Sequence, residues 1–274
     1  DEAIASHEAA IGIDPEFADA YIGIASVHKA RGNYSAATAH YQQALRYRPD
    51  DANVLHMLAS MGGAPVPTTA APEYVTKLFD QFASHFDKSL VEDLEYRTPE
   101  HLNRALRKVA GIDEKKFDVI DLGCGTGLCG PLLRDLARNL VGIDLSPKMI
   151  EKARTRNVYD SLMVTDIVTA LTVPGVSYDL VIAADVFVYV GALEPIFEAC
   201  RAALRENGLF AFSLEAEECE SYTLRTSGRY AHSVGYIRKL TDAYGLQELG
   251  LDHVVLRKEN ASPMPGHVFV LRRR

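Results

Sequence analysis

The chain has 274 residues, enough for one large domain and a smaller one, and its 47% hydrophobic and 24% charged content is that of an ordinary globular protein. A net charge of −8 without clustered Lys and Arg argues against a nucleic-acid substrate, and the absence of an 18-residue apolar run argues against a membrane span. The four cysteines (Cys124, Cys129, Cys200, Cys219) form no C-x-x-C pair and no zinc spacing with the nine histidines; with no signal peptide, this predicts free thiols, no metal site and a cytoplasmic location.

Residues 1–60 carry a repeat. Asp14-Pro15 and Arg48-Pro49 stand 34 residues apart. Between them Tyr21, Ile24 and Ala25 mark one helix, Gly32 and Tyr34 a turn, and Ala37, Tyr41 and Ala44 a second helix that Pro49 ends. Ala3, His7 and Ala10 read as the end of a preceding unit, and Leu55, Leu58 and Ala59 as the start of a following one. The segment resembles the tetratricopeptide repeats, one full unit flanked by two partial ones. Such units stabilise one another by stacking. The chain opens on Asp1 in mid-pattern, so a further segment upstream is expected.

Residues 61–72 are rich in Pro, Gly and small residues without periodicity, a linker. Residues 73–274 then form the larger domain. Its first helix repeats an aromatic-acid dipeptide, Phe79-Asp80 and Phe86-Asp87, seven residues apart, which on one helix is two turns along a face.

Phe117–Leu122 is an apolar strand ending in Asp121 and running into Gly123, Gly125 and Gly127; a helix with Pro131 in its first turn and Leu132, Leu133 and Leu136 on one face is expected next. Strand, glycine turn and helix is a grip for a nucleotide cofactor, because the missing side chains admit tight turns and let a ligand lie against backbone. Gly125-Thr-Gly-Leu-Cys-Gly130 fits a dinucleotide fingerprint, with Asp144 at about the expected distance of ~20 residues. Asp121-x-Gly-x-Gly-x-Gly127 fits the loop of enzymes that use S-adenosylmethionine. Four further strands follow: Asn139–Ile143 before Asp144, Leu162–Thr165 before Asp166, Tyr178–Ala184 before Asp185, and Gly208–Ser213. Four strand-end acids therefore line one edge of a sheet, where open α/β folds bind ligands. A carboxylate at Asp144 can accept both hydroxyls of a ribose.

Taken in order, Asp121-Leu-Gly-Cys-Gly-Thr-Gly127, Gly142-Ile-Asp-Leu-Ser146, Asp166 and the tract Asp179–Val190 resemble the class I S-adenosylmethionine-dependent methyltransferases over residues 73–274. The resemblance implies an α/β, Rossmann-like seven-stranded sheet whose last strand is antiparallel, closed by Leu249–Leu256 and His267–Leu271, with a small all-α repeat domain ahead of it. It implies S-adenosylmethionine as cofactor and S-adenosylhomocysteine as product. Cofactor contacts would fall on Asp121, Gly123, Gly125, Gly127, Asp144, Leu145, Asp166, Ile167 and Asp185. In this family a helix with paired aromatic-acid dipeptides lies over cofactor and substrate, which assigns Phe79 and Phe86 to the substrate side.

Methyl transfer from a sulfonium is an in-line displacement, so the protein must align the acceptor, exclude water and in some cases take a proton. Asp185 follows the fourth strand beside Phe187 and Tyr189, and is one candidate catalytic residue. The acids Glu215, Glu217, Glu218 and Glu220 read as a solvated face. Thr226–Tyr236 lies where this fold inserts a lid: Arg229 offers an anion clamp, Tyr230 and Tyr236 aromatic walls, and His232 a base that titrates near neutral pH. Capping of a helix starting near Ser233 is the competing role for His232. Arg229-Tyr-Ala-His-Ser233 is similar to a sequence in bacterial methyltransferases that carry tetratricopeptide repeats, the group that the whole chain most resembles. The expected function is methyl transfer to a small molecule or to a group borne by a carrier or protein, with the repeats docking that partner or another protomer. Two other readings stand beside it: a repeat scaffold with a vestigial Rossmann-like domain, and an NAD-dependent oxidoreductase.

Overall fold

Small residues recur where the first helices meet. In the computed structural model, which describes all residues except 1, 85, 89, 91–93, 110, 111, 113–115, 260 and 261, the helices are α1 (Glu2–Ile13), α2 (Ala18–Ala30), α3 (Tyr34–Tyr47) and α4 (Ala52–Ser60). Ala25, Ala37 and Ala44 are buried with Ile24 and Tyr41, repeat positions named above, and Ala20 is buried as well. The Tyr41 hydroxyl meets Ser26 Oγ at 3.2 Å. Asp51 caps α4 by accepting from the Val54 N–H at 3.1 Å.

Two units make up the chain. One comprises Asp1–Tyr74 with Leu224–Arg229, the other Val75–Thr223 with Tyr230–Arg274. Within the first, His56 Nε2 lies 2.8 Å from the Gly228 carbonyl, and a Cβ on Gly228 would meet Met57 Cε at 2.6 Å. The grouping of 224–229 with the repeats is long-range in sequence, and local composition does not signal it.

The second unit is built on a seven-stranded sheet: β1 (Phe117–Leu122), β2 (Ala137–Asp144), β3 (Ser161–Val164), β4 (Tyr178–Ala183), β5 (Leu204–Glu215), β8 (Leu246–Glu259) and β9 (Ser262–Arg273). A separate hairpin pairs β6 (Tyr222–Leu224) with β7 (Tyr230–His232). The main order is β3-β2-β1-β4-β5-β9-β8. The first five strands run parallel, and β9 joins antiparallel to both β5 and β8. The seven-stranded sheet with a final antiparallel strand is the expected one, and its closing pair is longer than the sequence segments named for it.

Alternate residues of each strand enter opposite cores, as the two-residue period of a strand requires. Ile120, Leu122, Val181, Phe210, Phe212 and Phe269 face one side, covered by α10 (Ile167–Leu171), α11 (Glu194–Ala203) and α12 (Val234–Ala243). Val119, Leu180, Ile182, Ala211 and Val268 face the other, under α7 (Thr98–Arg107) and α8 (Gly130–Leu133). The α8 helix is a single turn, shorter than Leu132, Leu133 and Leu136 suggested. After it Arg134 spends its guanidinium on the Val158 and Ala137 carbonyls, and β2 begins at once.

Phe212 sits at the centre of an aromatic cluster, with ring centroids 4.6 Å from Phe210, 5.4 Å from Phe187 and Phe269, and 5.9 Å from Phe197. Phe212→Ala should lower unfolding free energy by about 3–5 kcal/mol, and Phe212→Leu by clearly less. Urea unfolding followed by circular dichroism measures both; equal losses would mean that the rings do not set the packing.

Candidate active site

β1 and β4 are neighbours, yet the chain leaves β1 toward β2 on its other side, so a crevice opens at their carboxyl ends. The glycine turn lies there. Gly123 has φ +59°, and a Cβ on it would stand 2.8 Å from Val186 Cγ2. Gly125 has φ +55°, with Phe86 Cε1 at 3.8 Å as the nearest atom to a built Cβ, so the backbone there is open to a ligand. Under the turn lies Tyr159. Its ring is within 3.0 Å of the positions that Cβ atoms would take on Gly127, Gly130 and Gly142.

Asp121 is 1% exposed. Its Oδ2 accepts from the Tyr159 hydroxyl at 2.6 Å, while Oδ1 is buried with no hydrogen-bond partner. Burial pushes its carboxyl up to about 7; the Tyr159 hydrogen bond opposes this, and the nearby charge of Asp144 adds to it. Asp144 closes the turn from β2. Its Oδ2 accepts from Gly125 N–H at 2.9 Å and its Oδ1 from Ser146 N–H at 2.8 Å. Desolvation also raises this carboxyl, against the backbone N–H groups of Ser146, Gly125 and Leu145. Leu145 and Ile167 are half-buried, and Asp166 is exposed and caps α10 by accepting from Thr169 N–H at 2.9 Å.

The two aromatic-acid dipeptides fall on different helices, α5 (Pro72–Phe82) and α6 (Phe86–Lys88), because the helix breaks after Phe82. Their acids still reach the turn. Asp80 Oδ1 accepts from Ser146 Oγ at 2.6 Å, and Ser146 itself caps α9 (Pro147–Thr155). Asp87 accepts from Thr126 Oγ1 and pairs with Arg156, whose Nε donates to the Thr126 carbonyl at 2.6 Å. Phe79 packs edge-on to Phe86 at 5.8 Å and to Tyr189 at 5.3 Å. Phe79, Phe86 and Tyr189 are all half-exposed.

Asp185 has φ +55°, uncommon for a side chain that is not glycine. Its N–H donates to Ser213 Oγ at 2.8 Å, and Ser213 Oγ donates to Asp185 Oδ1 at 3.2 Å. Arg257 from β8 donates to Asp185 Oδ2 at 2.7 Å and to Glu215, and lies 3.6 Å from Glu259. Burial works against the charge of this guanidinium, and the charges of Asp185 and Glu215 outweigh it. Glu215 is fully buried at the end of β5, so it is not part of a solvated face as its sequence context suggested.

Four predicted substrate or catalytic residues sit inside the core. Phe187 is fully buried against Phe210 and Phe212, because the 3₁₀ turn Phe187–Tyr189 points its first ring inward. Tyr230 is fully buried beside Tyr222, both rings filling the space over Gly191. The Tyr236 hydroxyl accepts from Leu193 N–H and donates to Glu194 Oε2, each at 2.8 Å. His232 is fully buried, stacks on Tyr236 and meets the Gly191 carbonyl with Nε2 at 3.0 Å. Burial pushes its imidazole down to about 4, against the pull of the Gly191 and Val190 carbonyls. Ser233, not His232, caps α12. Arg229 is half-buried and belongs to the first unit.

Sequence reading missed Tyr159 and Arg257. Gly142 inside β2 was the signal for the first, since a glycine within a strand marks a close approach. Arg257 directly follows the apolar Val254–Leu256 run and precedes Lys258 and Glu259, so its local sequence gave no signal for the second.

A methyltransferase-domain family model matches residues 120–212, and a tetratricopeptide-repeat model matches residues 1–61. An 18S rRNA (guanine-N(7))-methyltransferase of Bos taurus is 40% identical over 63 residues, 23% of this chain and 22% of that protein. A ubiquinone biosynthesis O-methyltransferase of Cupriavidus pinatubonensis is 28% identical over 179 residues, 63% of this chain and 70% of the relative. The chain spans about half, 51%, of a second such enzyme from Colwellia psychrerythraea. The magnesium protoporphyrin IX methyltransferase of Synechocystis, solved with bound SAH, shares the fold, with a TM-score of 0.58 at 16% identity over 74% of this chain and 99% of that one. A methyltransferase-domain family match across the first five strands of a sheet of this order, preceded by a tetratricopeptide-repeat match, gives the chain a methyltransferase domain with repeats ahead of it in sequence.

Proposed function

We propose that the chain binds S-adenosylmethionine at the carboxyl ends of β1 and β2 and transfers its methyl group to an oxygen acceptor on a small molecule or a carrier-borne group. The observation that carries this reading is the buried, unpartnered Oδ1 of Asp121 beside the open backbone at Gly125. A buried carboxylate oxygen without a donor is costly, and an ammonium group satisfies it. When bound, the cofactor supplies an electrophilic methyl on a sulfonium. Asp121 holds the amine, Asp144 the ribose hydroxyls, and Leu145, Asp166 and Ile167 flank the base. Asp144 already spends one lone pair of each oxygen on backbone, which fixes its orientation.

On the acceptor side, Phe79, Phe86 and Tyr189 form an aromatic wall that excludes water, and Asp185 orients the acceptor. The oxygen acceptor is taken from the relatives, which include ubiquinone biosynthesis O-methyltransferases and a malonyl-[acyl-carrier protein] O-methyltransferase. The net charge of −8 speaks against nucleic acid as acceptor. The repeats dock the protein that bears or delivers the substrate. No helix among the described residues is long and apolar enough to cross a membrane, and we assign the reaction to the cytoplasm. His232 has a different task from the one its sequence suggests. Neutral and buried, it ties β7 to the Gly191 loop and so braces the segment between Asp185 and Leu193.

Calorimetry with S-adenosylhomocysteine tests the cofactor reading. Asp144→Ala should weaken binding by roughly 1.5–3 kcal/mol, the range for a hydrogen bond to a charged group. Gly125→Val should abolish it while the fold is kept, and NAD should give no heat. Wild-type affinity in Asp144→Ala would refute the ribose assignment. Labelled methyl donor in a cell extract, with and without the enzyme, then identifies the acceptor.

His232 makes stability depend on pH. Its folded value of about 4 lies below the unfolded value near 6.5, so the unfolded chain binds more protons between them. The contribution is fully present above ~6.5 and is lost as pH falls toward 4; its size is on the order of 3 kcal/mol. Urea unfolding at pH 5 and 7.5 should show a smaller difference in His232→Phe, which keeps an aromatic ring without the titration. The same pH dependence in both proteins would mean that His232 is not the titrating group.

A further inference from the structure

We infer that Tyr159 is a positioning residue for the cofactor site: its ring shapes the glycine turn, its hydroxyl aims Asp121, and through that hydrogen bond cofactor binding releases a proton from Asp121. The inference rests on the cofactor reading above. Three features support it. The ring occupies the space beneath Gly127, Gly130 and Gly142, so the turn is moulded on it. The hydroxyl donates to Asp121 Oδ2 at 2.6 Å, which leaves Oδ1 as the free acceptor. No basic side chain among the described residues pairs with Asp121, so nothing in the protein holds it ionised except that one hydrogen bond.

The ionisable groups that face Asp121 come from three elements. Asp144 at the end of β2 repels its charge. Cys124 and Cys129, in the turn, have thiols pushed up by burial and stay neutral. Tyr159, from the loop between α9 and β3, has its phenol pushed up by burial and by the charge of Asp121, and also stays neutral. Burial in this setting leaves the Asp121 carboxyl at about 7, half protonated near neutral pH. A protonated carboxyl cannot pair with an ammonium group. Binding such a group must therefore ionise Asp121 and expel its proton.

The sign follows. The Asp121 carboxyl is raised in the free protein and lowered in the complex, so affinity grows as pH rises through 7 and levels off above it. Affinity for S-adenosylhomocysteine should be about tenfold weaker at pH 6 than at pH 8. The amine of the ligand loses its own proton at higher pH, so the informative range is pH 6 to 7.5. 5′-Methylthioadenosine lacks the amino-acid portion and should bind with no such dependence.

Titration calorimetry of the full chain at pH 6.5, in buffers of different ionisation enthalpy, counts the protons directly. The expected result is release of most of one proton with S-adenosylhomocysteine and none with methylthioadenosine. Tyr159→Phe keeps the ring under the glycines and removes only the hydroxyl. It should move the midpoint of the pH dependence upward, so that affinity between pH 6 and 7.5 falls below that of wild type, and leave methylthioadenosine binding unchanged. Asp121→Asn should abolish proton release. Tight, pH-independent binding of S-adenosylhomocysteine without proton release would overturn the inference and leave the cofactor reading intact. Failure of both ligands to bind between pH 6 and 9 would overturn the cofactor reading itself, and this inference with it. A Tyr159→Phe midpoint equal to that of wild type would remove Tyr159 from the account, whatever Asp121 does.

Discussion

A parallel sheet that grows from β1 in both directions must leave its carboxyl end uncovered where the direction reverses, and this constraint organises the second unit. β2 and β3 extend one side, β4 and β5 the other. The connections from β1 and β4 therefore diverge, and the polar ends of the strands meet in the gap between them. Asp121, Asp144 and Asp185 stand there because each terminates a strand whose interior residues are committed to the two cores. The helical segment with Asp80 and Asp87 closes over the same end by pairing with Ser146, Thr126 and Arg156. The hydrogen bonds of Asp121 and Asp144 stay on the β1–β2–β3 side of the crevice, and those of Asp185 on the side of β4, β5 and β8.

That arrangement concentrates carboxylates in a region of low solvation. Isolated buried charges cost several kcal/mol each, so they persist only where the surroundings compensate them. The two halves solve this differently. At β4 and β5, Arg257 supplies a positive charge from the antiparallel pair, and Ser213 fills the remaining oxygen of Asp185. At β1 no cation among the described residues pairs with Asp121, and a phenol takes one of its oxygens. Both oxygens of Asp185 have a partner within the protein, whereas Oδ1 of Asp121 has none. His232, Tyr236 and Glu194 make a third polar network, which holds the backbone of Leu193 and Gly191 and leaves His232 Nδ1 buried without a hydrogen-bond partner.

The sequence discloses the strands, the glycine turn and the strand-end acids because these are local: an apolar run, a cluster of glycines and a charge at its end lie within ten residues of one another. The repeat was legible for the same reason, with Pro15 and Pro49 fixing its period. What was not legible depends on contacts distant in sequence. Glu215 reads as solvated among Glu217, Glu218 and Glu220, and only the approach of Arg257 explains its burial. Arg229-Tyr-Ala-His-Ser233 reads as a lid bearing a base, yet Tyr230, Ala231 and His232 are all fully buried on a short strand. Phe79 and Phe86, expected two turns apart along one helix, meet instead across a helix break that the seven-residue spacing does not reveal.

The two margins of the sheet differ in how they guard against unwanted pairing. Strand β8 is sheltered by its own chain: Lys258 N–H donates to the Leu94 carbonyl at 2.7 Å and Arg97 N–H to the Leu256 carbonyl at 3.1 Å, so part of that edge is already paired. Strand β3 is protected by its brevity, with no charge in Ser161–Val164 and with Met163 and Val164 39% and 52% exposed. An uncharged apolar edge is a template for another chain, and short length is the device that limits it. Colloidal behaviour at high concentration should therefore be governed by this margin, and a lysine at the exposed Ser161, at the end of the strand away from Asp144, would be the mildest way to improve solubility without touching the crevice.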